Sequence, residues 1–130
     1  MPQTLADRLA DFALSTRFED LPETVVIEAR RRLLDSLGCA VGALHEPAST
    51  IARRVAGRIQ GSPSVTLIGG GTSSPDWAAF ANGVHIRYLD CNDTYLSLEP
   101  AHPSDNWAAV MALGESVGAS GRDWIVAAVV

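Results

Sequence analysis

The chain has 130 residues, 47% of them apolar, with a formal net charge of −5 and a pI near 5.0. That length suits one domain with a sizeable core. The acidic balance and the lack of any long Lys/Arg tract argue against nucleic acid as a partner, and no run approaches the roughly 18 uncharged apolar residues of a membrane span.

The opening MPQTLADRLADF has no basic region followed by an apolar core, so no secretory signal is read and a cytoplasmic location is expected. Leu5, Leu9 and Phe12 recur at helical spacing behind Thr4, a candidate N-cap with Asp7 three residues on. A second helix is predicted to start at Pro22, with Val26, Ala29, Leu33, Leu37, Ala40 and Leu44 as its apolar stripe. The run Arg30-Arg31-Arg32 reads as the wet face of that helix. A third helix fits Pro47 to Ile59, with Ile51 and Val55 turned inward.

Residues 65–68 read as a short extended segment, the one departure expected from a mostly α chain. The following Gly69-Gly70-Gly71 lacks both the Lys-Ser/Thr and the GxGxxG spacing of phosphate loops, so a turn is predicted. Ser74-Pro75-Asp76 is a strong helix start, and Trp77, Ala81, Val84 and Tyr88 are predicted as its apolar face. The next helix is expected just after Pro103, with Ser104 as N-cap and Trp107, Val110, Met111 and Val117 inward. The last helix starts at Ser120, with Asp123 three residues later, and runs through WIVAAVV. An apolar run of that kind without a polar stop suggests a partial helical domain, residues 1–130 being a piece of something longer.

Cys39 and Cys91 form no CxxC, and two free thiols in a reduced compartment are the simplest reading. His45, His85 and His102 show no zinc spacing, and two cysteines cannot complete a common iron–sulfur set. No metal and no cofactor are expected.

The chemistry concentrates between Arg87 and Asn106, RYLDCNDTYLSLEPAHPSDN. A cation, several carboxylates, an imidazole and hydroxyls lie there between two apolar helices, which suggests a site for a small polar substrate. The helix start near Ser104 offers free N–H groups to an anion, with His102 beside it. Arg87 can hold a carboxylate through two hydrogen bonds. Asp90 and Asp93 supply candidate bases, and the set suits proton abstraction next to a carboxylate with loss of a β-hydroxyl. Plainer readings stand beside these: a surface ion pair for Arg87 and Asp90, a capping histidine at His102, and first-turn helix roles for Asp105 and Asn106.

The run R-Y-L-D-x-N-D-T-Y-L-x-x-E-x-x-H-P-S-D-N resembles the signature of the MmgE/PrpD family, the 2-methylcitrate dehydratases. TLADRLADF at the start, LLDSLGCAVGAL (33–44), AAFANG (78–83) and AVMALGESVGASGRD (109–123) extend the resemblance over nearly the whole chain. It implies the N-terminal portion of a large all-helical domain and a full-length homodimer. The implied reaction removes water from the tricarboxylate 2-methylcitrate, and often citrate, to give the cis-aconitate-type product without metal or cluster. Relatives on this fold decarboxylate cis-aconitate or epimerise iminodisuccinate, often with histidine at the place of Arg87 and aspartate at that of Asn92. Arg87 and Asn92 therefore lean toward the methylcitrate branch. By the same resemblance Asp90 and His102 match the active-site aspartate and histidine, and Thr94 a substrate-contacting threonine. Arg87, Asn92, Asp93 and Ser104 complete the expected substrate-binding set. Family members run to several hundred residues and add a lysine, another histidine, a tyrosine and a smaller lid domain, so the site is expected to be incomplete on this chain. A helical interaction module without catalysis is the alternative of a different class.

Overall fold

The computed structural model describes residues 3–130. Its first helix, α1 (Leu5–Ser15), is closed by the expected capping box: the Asp7 N–H donates to Thr4 Oγ1 and the Thr4 N–H donates to Asp7 Oδ2. None of its residues is buried, and Leu5, Leu9 and Phe12 all face outward. A 3-10 turn, Phe18–Asp20, leads into α2 (Glu23–Gly42). Val26, Ala29 and Ala40 of the predicted stripe are buried there, and Leu33 and Leu37 half-buried.

The helices α3 (Pro47–Ala56) and α4 (Pro75–Arg87) flank a short antiparallel hairpin of β1 (Val65–Thr66) and β2 (Thr72–Ser73). A second 3-10 turn, Pro103–Asn106, continues into α5 (Trp107–Ser116), and α6 (Gly121–Val129) follows. Ser120 and Asp123 close α6 with a second capping box. Among the described residues no helix is long and apolar enough to cross a membrane.

The core forms on both sides of α4. On one side Ile86 packs with Val26, Ala29 and Ala40 of α2, Trp107 and Ala108 of α5 and Ile125 of α6. On the other, Ala78 and Ala81 meet Ala52 and Ala56 of α3, Val65 and Leu67 of the hairpin and Ala112 of α5. Small side chains let the backbones approach closely. Where α5 meets α6, a Cβ on Gly114 would lie 2.0 Å from Trp124 Nε1, so only glycine fits.

This close packing accounts for where the sequence expectation fails. Helix α3 ends at Ala56, before Ile59, and buries Ser49, Ala52 and Ala56, leaving Ile51 and Val55 exposed. The helices meet through the small residues, and the bulky pair lies outside. Helix α4 buries Ala78, Ala81, Asn82, His85 and Ile86, while Trp77 and Val84 are only half-buried and Tyr88 is exposed. A helix enclosed on two sides has no single apolar stripe. Val117 is exposed because α5 stops at Ser116 and the chain turns at Gly118, φ +66°.

The hairpin extends the predicted segment by a partner strand, with Val65 opposite Ser73 and Thr66 opposite Thr72. Gly69, Gly70 and Gly71 turn between the strands at φ +90°, +112° and +89°, conformations that favour glycine. Polar side chains tie the hairpin to the helices. Asn82 accepts from the Ile68 N–H at 2.8 Å and donates to the Thr66 carbonyl at 3.0 Å. Ser73 Oγ donates to the Ala56 carbonyl at 2.7 Å, and the Glu115 carboxylate accepts from the Thr66 hydroxyl at 2.7 Å. Replacing Asn82 by Ala removes both of its bonds and strands two backbone groups. The expected loss is about 2 kcal/mol of stability, measured as a lower urea midpoint at unchanged slope. An unchanged midpoint would show that the hairpin does not depend on Asn82.

Candidate functional site

Helix α4 ends at Arg87, and the chain leaves it through Asp90 at φ +50°. This left-handed conformation strains most side chains, but aspartate is one of the few that adopt it. The turn is closed by the Asp90 N–H donating to the Arg87 carbonyl at 3.1 Å.

From there the chain makes a loop that returns to the 3-10 turn before α5. Tyr95 and Ala101 exchange backbone hydrogen bonds at 2.8 and 3.0 Å, pairing its two arms. Two polar knots hold its neck. In the first, the Arg87 guanidinium reaches three acceptors: Nη2 to Asp90 Oδ1 at 3.1 Å, Nη1 to Asn92 Oδ1 at 3.2 Å and Nε to Asp105 Oδ1 at 3.0 Å. Arg87 thus spans both arms of the loop. Its donors serve the chain's own carboxylates, including that of Asp105.

The second knot centres on Asp93, one residue along from Asn92. Its carboxylate is mostly buried, pairs with Arg32 of α2 through Oδ2, and accepts the Ser104 N–H through Oδ1 at 3.1 Å. Arg32 also reaches Glu28 at 2.8 Å. Burial pushes the Asp93 carboxyl up, but the donors of Ser104 and Arg32 outweigh it and hold the group below the ordinary carboxylate value. The bond to Asp93 in turn raises the Arg32 guanidinium.

The Asp93 backbone carbonyl accepts from His102 Nδ1 at 2.8 Å. A carbonyl can only accept, so Nδ1 carries the proton in this bond. The neutral ring then has its lone pair on Nε2, which makes no hydrogen bond among the described residues.

These positions revise several sequence expectations. Ser104 is not an N-cap: it lies inside the 3-10 turn, fully buried, and His102 precedes that turn. Its N–H, expected to greet a substrate anion, already binds the Asp93 carboxylate. Arg32 does not belong to a wet face with the exposed Arg30 and Arg31. The signal was present in the spacing, since Arg32 lies three residues after buried Ala29 and four before buried Ser36. Arg87 and Asp90 do meet, while Thr94 is exposed on the arm between Asp93 and Tyr95. His85, on α4, is fully buried and donates from Nδ1 to the Ala81 carbonyl at 2.7 Å.

Replacing Arg32 by Met leaves a mostly buried carboxylate without its counter-charge. The expected cost is about 2 kcal/mol at neutral pH, read from urea unfolding. Because the Asp93 pKa is depressed on folding, its contribution is present above the ordinary carboxylate value. It is lost as pH falls through the folded value. The wild-type and Arg32→Met stabilities should therefore converge as pH falls below the ordinary carboxylate range. A pH-independent gap would mean that Asp93 is not held by charge.

The sequence matches the MmgE/PrpD N-terminal domain family over residues 7–130. It is 38% identical over 117 residues to a 2-methylcitrate dehydratase of Cupriavidus necator, covering 87% of this chain and 23% of the relative. It is 40% identical over 101 residues to a 2-methylcitrate dehydratase of Escherichia coli (strain K12), covering 69% of this chain and 20% of the relative. An alkylcitrate dehydratase phiI of Fungal sp. (strain ATCC 74256) is 38% identical over 109 residues, covering 78% of this chain and 19% of the relative. The chain thus spans a quarter or less of the curated relatives it matches. With the family match extending over almost all of its length, the chain belongs to the MmgE/PrpD family and represents its N-terminal domain.

Proposed function

We propose that this chain is the N-terminal part of a hydro-lyase that dehydrates 2-methylcitrate, or a closely related alkylated citrate, to the cis-aconitate-type product. The observation that carries the reading is the state of His102: its Nδ1 is committed to the Asp93 carbonyl, which leaves Nε2 as the ring nitrogen available for proton transfer. Support comes from the relatives, which are named as dehydratases of methylcitrate and alkylcitrate.

Elimination of water from a β-hydroxy tricarboxylate needs two proton movements. One proton leaves the carbon next to a carboxylate, and another reaches the departing hydroxyl. His102 through Nε2 and the exposed carboxylate of Asp90 divide these tasks. Thr94, exposed on the arm that carries Asp90, is the substrate-contacting threonine in this reading. Arg87, Asn92, Asp93 and Ser104 act as the frame that holds the loop, with the guanidinium of Arg87 adding positive potential next to Asp90. The same reading includes a reaction run on side chains without a metal, a homodimeric full-length protein, and completion of the site by residues beyond this segment.

The test uses the full-length protein that carries this segment. Formation of the unsaturated product from 2-methylcitrate, followed by its ultraviolet absorbance, should persist after exhaustive chelation. His102→Ala and Asp90→Asn should each lower kcat by at least about two orders of magnitude, the usual cost of a general acid–base group. Near-native kcat in a folded His102→Ala protein would remove the centre of this reading. Carbon dioxide release from cis-aconitate in place of dehydration would assign the fold's other chemistry instead.

A further inference from the structure

We propose that Cys39 and Cys91 form a peroxide-responsive dithiol site, whose oxidation to a disulfide staples the loop carrying Asp90 and Asn92 to α2. The sequence leaves these cysteines far apart, yet the fold brings their sulfurs to 3.9 Å. Cys39 lies on the buried side of α2, and Cys91 is exposed between Asp90 and Asn92. The neighbouring packing supports the contact. Leu89 lies over α2 so closely that a Cβ on Gly42 would come within 3.0 Å of its Cδ1. The start of the loop therefore rests on the C-terminal half of α2, and a bond there would extend an existing contact.

The two thiols differ in exposure, Cys39 being buried and Cys91 exposed. Burial and the adjacent Cys91 sulfur push the Cys39 thiol up to about 11, so it stays protonated at neutral pH. The exposed Cys91 is the sulfur that an oxidant can reach. Its thiolate attacks one oxygen of hydrogen peroxide, the O–O bond breaks, and hydroxide leaves and is protonated to water; Cys91 becomes a sulfenic acid. The Cys39 sulfur then attacks the Cys91 sulfur. An S–S bond forms, the S–O bond breaks, and the hydroxyl leaves as water with the Cys39 proton. Two thiols lose two electrons and two protons in total, and one peroxide becomes two waters. Closing the gap to a bond of about 2.05 Å asks the exposed loop residue to move toward the fixed helix.

The oxidised chain holds Asp90 and Asn92 from two directions: Arg87 grips their side chains, and the disulfide grips the backbone between them. Any effect on turnover rests on the proposed hydro-lyase reading, whereas disulfide formation does not.

The experiment treats the reduced chain with hydrogen peroxide at several pH values and follows free thiols and intact mass. The expected product is a monomer that has lost both thiols and two hydrogens, with Cys39 and Cys91 peptides linked in a non-reducing digest. Its rate should rise with pH, because thiolate is the nucleophile. Cys39→Ser should stop at a dimedone-reactive sulfenic acid on Cys91, and Cys91→Ser should remain reduced. Wild-type protein that accumulates sulfinic acid on Cys91 with Cys39 free, or that links between chains, overturns the inference. Absence of the disulfide leaves the hydro-lyase reading intact. A clean disulfide in a full-length protein that never dehydrates 2-methylcitrate sinks that reading and keeps the dithiol site.

Discussion

A carboxylate that is mostly withdrawn from water must be supplied with charge and hydrogen bonds, and Asp93 sets that demand for the whole loop. It is met from two separate places, the Arg32 guanidinium on α2 and the Ser104 N–H at the start of the 3-10 turn. Both must be in register at once. That requirement fixes the distance between α2 and the entrance to α5, buries Ser104, and sets the carbonyl onto which His102 donates. The orientation of the imidazole is thus a consequence of an ion pair on the far side of the backbone.

The two knots divide the labour in a way that the list of residues hides. Asp93 works from the protein side, among groups that are half-buried or deeper. Arg87 works from the solvent side, on Asp90 and Asp105, whose carboxylates remain exposed. Since Asn92 adjoins Asp93 and Ser104 adjoins Asp105, the two sets close the same neck from opposite faces. Most of the charges in the segment are consumed in holding its shape. The proton chemistry proposed for the site falls to the groups left with unused capacity, His102 Nε2 and the Asp90 carboxylate.

Local signals in the sequence were legible where the structure depends on local bonds. The capping boxes at Thr4–Asp7 and Ser120–Asp123, the helix start at Pro75 and the stripe of α2 all involve residues within a few positions of one another. The inward face of α3 was not legible, because hydrophobicity favours Ile51 and Val55 while close helix contact selects Ser49, Ala52 and Ala56. In the site, the nearby pair Arg87 and Asp90 was legible by spacing. The inward side of Arg32 was legible from its spacing to Ala29 and Ser36, but its partner was not, since Asp93 is 61 positions away. Reading a free anion site into Ser104 failed for the same reason: the competing anion, Asp93, is near in space and eleven residues back.

The alanine-built core has a consequence for how this domain tolerates change. Among the described residues, nine of the sixteen buried apolar side chains are alanines, so trimming them offers little volume to lose. Enlarging any of them has the opposite effect, since helices separated by single methyl groups have no room for a second. Stability in such a domain is guarded by an upper bound on side-chain size. Random substitution would therefore be filtered on two grounds at buried helical positions such as Ala81 and Ala112: Ala→Gly costs about 1 kcal/mol through the helix backbone, and Ala→Leu must in addition force packed helices apart.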